Sequence, residues 1–121
     1  MTNNYSYDEV RLAIATTEGM YFYKPEEIIR LEASSNYTYI YFTNRKPLLI
    51  SKVMGTYEEM LTAAGFVRTH RSHMVNKKHI LYVDANGNIV MQDASKAEIS
   101  RRKKKQVMQE LMGSYRTAIA A

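Results

Sequence analysis

The chain has 121 residues, with 17 Lys or Arg against 12 Asp or Glu and a net charge of +5. That length suits one domain, and its apolar content is enough to close one core. No run approaches the ~18 apolar residues of a membrane span, the polar start MTNNYSYDEV lacks a secretory stretch, and with no cysteine at all, disulfides, thiol catalysis and thiolate zinc sites are excluded, as expected of a cytoplasmic protein.

Charge is unevenly spread. Residues 1–65 carry six basic and eight acidic side chains, a net of −2, whereas residues 66–121 carry eleven and four, a net of +7. Such asymmetry in one small domain points to a polyanion on one side. A basic face meeting an acidic protein is the competing explanation.

Taken in order, residues 1–9 read as a linker. Residues 11–15 alternate as a strand, Thr17-Glu18-Gly19 turns, and residues 20–23 form a short aromatic strand. Pro25 interrupts, and Ile28, Ile29 and Leu31 make a compact apolar run. Residues 36–42 have a two-residue period, with Tyr37, Tyr39 and Tyr41 on one face and Thr38, Ile40 and Phe42 on the other. Residues 48–53 return as the second arm of a hairpin.

Residues 56–64 switch to helical spacing, with Tyr57, Met60, Leu61 and Ala64 on one face. Thr56 and Glu59 fit a capping box and Gly65 a C-terminal stop. Residues 66–71 alternate again, and His73, Met74 and Val75 continue that strand. Asn76-Lys77-Lys78 turns, residues 80–83 are a strand, and Asn86-Gly87 marks a hairpin back through residues 89–91. Residues 97–99 form a last strand. Ser100 is then expected to cap a helix over 101–112 that Gly113 ends, with Val107, Met108, Leu111 and Met112 on its apolar face. Residues 114–121 read as a tail. The pattern predicts a mainly β fold of several small antiparallel sheets, with one short helix between strands and a C-terminal helix.

Little supports an enzyme. There is no Gly-rich phosphate loop, no Ser–His–Asp order and no paired carboxylates beyond adjacent surface glutamates. His70 and His73, three apart on one strand, would face opposite ways and make a poor metal site, so neither a metal nor a cofactor is expected. The Tyr37, Tyr39 and Tyr41 stripe could stack the bases of RNA or single-stranded DNA, or could simply pack on a neighbour. Five basic residues in a row, Arg101, Arg102, Lys103, Lys104 and Lys105, open the last helix. Cations are unfavourable at a helix N-terminus, so they suggest an anionic partner. Arg68, Arg71, Lys77 and Lys78, with His70, Ser72 and Asn76, offer further donors suited to phosphates and base edges.

Three stretches resemble the LytTR family of DNA-binding domains across residues 10–113. They are IIRLEASSNYTYIYF, FVRTHRSHMVN and ISRRKK. The resemblance implies the output domain of a bacterial two-component response regulator, which inserts loops into successive grooves of double-stranded DNA rather than docking a helix. It implies contacts from Asn36, Tyr37 and Thr38, from His70, Arg71 and Ser72, and from Arg101 and Arg102, with Arg102 reading a base. Phosphate contacts would come from Lys77, Lys103 and Lys104. Repeated half-sites, pairing of copies on DNA and a receiver domain outside this chain are also implied. Two departures stand out: His73 replaces the family's usual aromatic, and Glu98 replaces its usual proline.

Overall fold

The computed structural model describes residues 11–113, so the expected linker over 1–9 and tail over 114–121 lie outside the described residues. Among the described residues, ten strands and two α-helices alternate with short 3-10 turns. Strands β1 (Leu12–Thr16) and β2 (Gly19–Tyr23) form a two-stranded antiparallel sheet. Strands β3 (Ile28–Ser34), β4 (Tyr37–Phe42), β5 (Leu48–Ile50), β6 (Phe66–His70) and β7 (His73–Asn76) form a five-stranded sheet in the order β5-β4-β3-β7-β6. Strands β8 (Ile80–Val83), β9 (Asn88–Met91) and β10 (Lys96–Glu98) form a three-stranded sheet with β9 in the middle. All pairings are antiparallel.

The five-stranded sheet is the central layer, with a core on each face. On one face Leu31, Ile40, Phe42 and Met74 meet Leu12, Ile14 and Tyr23 of the small sheet and Leu61 of helix α1 (Glu58–Ala63). On the other, Ile29, Val67 and Val75 meet Ile89, Met91 and Ala97 of the three-stranded sheet and Val107 and Leu111 of helix α2 (Lys104–Gly113). Each buried side chain of this kind contributes ~1.5–3 kcal/mol. A two-sided central strand explains the apolar run at Ile28 to Leu31. A β-bulge between Ile28 and Arg30 shifts the phase, sending Ile28 and Leu31 to one core and Ile29 to the other.

Several local expectations are corrected. The first helix does not start on a Thr56 and Glu59 capping box. Residues Met54–Tyr57 form a 3-10 turn, α1 follows, and no side chain caps it. Gly65 does end that helix, at φ +97°, a conformation costly for any residue with a Cβ. Ser100 also makes no side-chain cap. Residues Arg101–Lys103 form a 3-10 turn, and the α-helix begins only at Lys104. Met112 is exposed rather than part of the buried face. Residues 66–75 are not one strand: Arg71 and Ser72 form a two-residue turn between β6 and β7. No helix among the described residues is long and apolar enough to cross a membrane.

Candidate nucleic-acid interface

Antiparallel pairing brings two sequence-distant turns to one end of the central sheet, and packing of the third sheet sets a third motif beside them. The β3–β4 turn holds Ser35 and Asn36, with Ser35 at φ +57°. The β6–β7 turn holds Arg71 and Ser72. Beside them runs the junction from β10 into α2. The strand order β4-β3-β7-β6 sets the two turns two strand spacings apart, or ~10 Å.

Backbone hydrogen bonds tie the three together. The Ala33 N–H donates to the Ser72 carbonyl at 2.9 Å, linking the first loop to the second. The Ser100 N–H donates to the Thr69 carbonyl at 2.8 Å. The Thr69 hydroxyl, fully buried, donates to the Glu98 carbonyl at 2.8 Å. Ser100 therefore anchors the third motif through its backbone.

On this frame Asn36, Tyr37, Arg71, Arg101, Arg102 and Lys104 are all exposed. A groove of about 410 Å³ gathers His70, Glu98, Arg101 and Arg102 with Asn86, Gly87 and Asn88 of the β8–β9 hairpin. The Lys104 ammonium lies over Gly87, 3.6 Å from where a Cβ would stand. The basic run thus divides. Arg101, Arg102 and Lys104 attend this groove, while Lys103 lines a separate cleft with Glu58, Arg68 and Glu110.

His70 and His73 do not point apart. The turn folds them opposite each other, with ring centroids 5.6 Å apart. Opposite faces would have required an unbroken strand. His70 Nδ1 accepts the Ser72 N–H at 3.0 Å, and its Nε2 lies 3.7 Å from a Glu98 carboxylate oxygen. His73 is mostly buried, its Nδ1 has no hydrogen-bond partner, and Glu32 lies 3.7 Å away. Burial holds its pKa below the usual value, although Glu32 pulls the other way. No cluster of metal-ligating residues occurs among the described residues.

Three residues expected near nucleic acid have other positions. Thr38 is fully buried, and its hydroxyl donates to the Lys52 carbonyl at 2.7 Å. Asn76 is buried too. It donates to the carbonyls of Pro25 and Ile28 at 3.1 and 2.9 Å and accepts the Lys78 N–H at 3.0 Å. Lys77 follows the far end of β7, across the sheet from the Arg71 turn. The alternation of Tyr37, Tyr39 and Tyr41 is as expected, but only Tyr37 is open, at 48% exposure. Tyr39 and Tyr41 are half-buried, and the Arg30 guanidinium covers the Tyr41 ring at 4.0 Å. The stripe is therefore not a continuous stacking platform.

Arg68 has a role that sequence alone does not reveal. It pairs with Glu58 of α1, and it donates to the carbonyls of His70 and Arg71 at 3.2 and 2.6 Å. Its guanidinium thus spans the turn that carries Arg71. Asn86 and Asn88 are legible in the sequence only as hairpin formers. Their place in the groove follows from the packing of the third sheet.

A family model described as the LytTr DNA-binding domain matches residues 18–112. Among solved structures, the chain is similar to one described as the LytTr DNA-binding domain of a putative methyl-accepting/DNA response regulator from Bacillus cereus. The identity is 23%, the TM-score 0.65, and the match covers 85% of this chain and 96% of that one. No curated protein matches the chain.

Proposed function

The chain belongs to the LytTR family of DNA-binding domains, and on that premise we propose that it binds double-stranded DNA sequence-specifically as the output domain of a bacterial two-component regulator. The observation that carries this reading is the tied row of loops. Asn36 and Tyr37, then Arg71 and Ser72, then Arg101 and Arg102 stand along one end of the central sheet on a hydrogen-bonded frame. Spacing of ~10 Å between the first two loops compares with a major groove ~12 Å wide, so adjacent loops can straddle groove and flanking backbone.

Each side chain has a chemical role. Arg71 and Arg102 can donate in bidentate fashion to guanine, and Asn36 can pair with adenine. Lys104 and Arg101 hold phosphates, and His70, held by Ser72 and near Glu98, shapes the groove floor. Helix α2 packs its Val107 and Leu111 face into the core, and in this reading the contacts come from the junction that precedes it rather than from the helix itself. The signal reaches this domain through a receiver domain, and copies pair on repeated half-sites.

Selection of bound duplexes from a random pool tests this. The reading expects a selected site to bind at least ~10³-fold tighter than unselected duplex at physiological salt, with single strands failing to compete. Equal affinity for all duplexes, or displacement by single strands, would refute it.

A further inference from the structure

Away from the DNA-facing edge, β2 has an open side. Among the described residues it pairs only with β1. Its sequence, Gly-Met-Tyr-Phe-Tyr, has no charge or proline, and its register with β1 shows no bulge. Proteins usually blunt such edges with those devices. Met20 is 55% and Phe22 59% exposed.

The hydrogen-bonding parity of this edge is legible. The Ala15 N–H donates to the Tyr57 hydroxyl at 3.2 Å, so it points away from β2. The Ala15 and Met20 pair is therefore of the non-hydrogen-bonded kind, and Met20 directs its own N–H and C=O to the outer side. By alternation the Phe22 N–H and C=O point outward too.

We propose that this edge is a homodimer surface, on which two copies pair their β2 strands antiparallel about a twofold axis through Tyr21. Centring on Tyr21 sets Met20 opposite the partner's Phe22 and Phe22 opposite the partner's Met20. Both outward-facing residues of each copy are then hydrogen-bonded. The same register sets Glu18 opposite the partner's Lys24, and Lys24 opposite the partner's Glu18. Both side chains are exposed, and Tyr21 already holds the Glu18 carboxylate at 2.5 Å. Strand, hydrogen bonds and charge are thus self-complementary in one alignment, as a twofold interface requires. The surface shares no residue with the proposed DNA contacts, and its test needs no DNA.

Two measurements on the full chain decide the matter. Tyr21→Cys supplies the only thiol, because the chain has no cysteine. On the axis, two such residues would lie ~4.5 Å apart between Cα atoms, within disulfide range. Mild oxidation should give a cross-linked dimer, while Leu81→Cys, at an exposed position on β8, should not. Absence of a cross-link in the Tyr21→Cys variant, or equal cross-linking at both sites, would overturn the proposal. In sedimentation equilibrium, Glu18→Lys or Lys24→Glu should each weaken self-association about tenfold, and the double exchange should restore it to within about threefold. Identical association by all three variants, with circular dichroism showing each folded, would overturn it. So would a chain that stays monomeric and binds a different protein through this edge.

Discussion

The Arg68 Nη2 donates to the Arg71 carbonyl at 2.6 Å, and the same guanidinium is held by the Glu58 carboxylate. A residue inside β6 thereby fixes the turn that presents a proposed DNA-contacting arginine. Arg68→Met should lower affinity for a selected duplex by about tenfold while the fold persists, since Arg68 itself is half-buried and pointed at backbone. Glu58→Gln should shift affinity in the same direction by less. Titration by fluorescence anisotropy reads both. Unchanged affinity for Arg68→Met would remove its positioning role.

On the proposed function, the basic run divides into a base-reading and a phosphate-holding part. Arg102→Ala should lose about 1–3 kcal/mol on the selected site and relax sequence preference. Lys104→Ala should weaken all duplexes alike and reduce the salt slope by about one. Lys77→Ala should change neither, because Lys77 lies at the opposite end of β7 from the Arg71 turn. Binding isotherms across a salt series separate these outcomes. An equal loss on random and selected DNA for Arg102→Ala would cancel its base-reading role.

Thr38 and Asn76 sit within DNA-binding motifs but are buried. Thr38→Val should destabilise the fold by about 1–3 kcal/mol by depriving the Lys52 carbonyl of its donor. Asn76→Ala should cost at least as much, since the Pro25 and Ile28 carbonyls and the Lys78 amide all lose a partner. Urea unfolding measures the loss. Sequence preference of the folded protein should be unchanged, and a changed preference for Thr38→Val would restore that side chain to the interface.

Burial lowers the His73 pKa below its usual 6.5. The unfolded chain therefore binds a proton more readily than the folded one, and folding stability rises with pH across that window. Stability from this group is fully present above the unfolded value and is lost as pH falls below it. Tm should drop on going from about pH 7 to about pH 5, and His73→Gln should flatten that drop. An equally steep profile in the variant would assign the acid sensitivity to other groups.

Much of this is legible in the chain itself. Two-residue alternation at Tyr37 to Phe42 locates β4 and its buried face, and the Asn86-Gly87 turn locates a hairpin. Local periodicity does not report how strands are stacked, however. The bulge at Ile28 to Arg30 and the turn at Arg71 and Ser72 are each a change of one or two residues, yet they decide which side chains meet. The turn is hidden because Arg71-Ser72 has no glycine, proline or asparagine to mark it. Thr38 and Asn76 read as polar contacts because burial depends on neighbours far along the chain. The cap expected of Ser100 fails for a similar reason: its backbone is held by Thr69, and the chain tightens into a 3-10 turn before the helix begins.

Amide chemical-shift mapping with a selected duplex tests the central claim most directly. The largest changes should fall at Asn36 and Tyr37, at Arg71 and Ser72, and at Arg101 and Arg102, with small changes at Lys77 and along the outer face of α2 at Gln106 and Glu110. Changes concentrated on that helix face, or on Tyr39 and Tyr41, would contradict it.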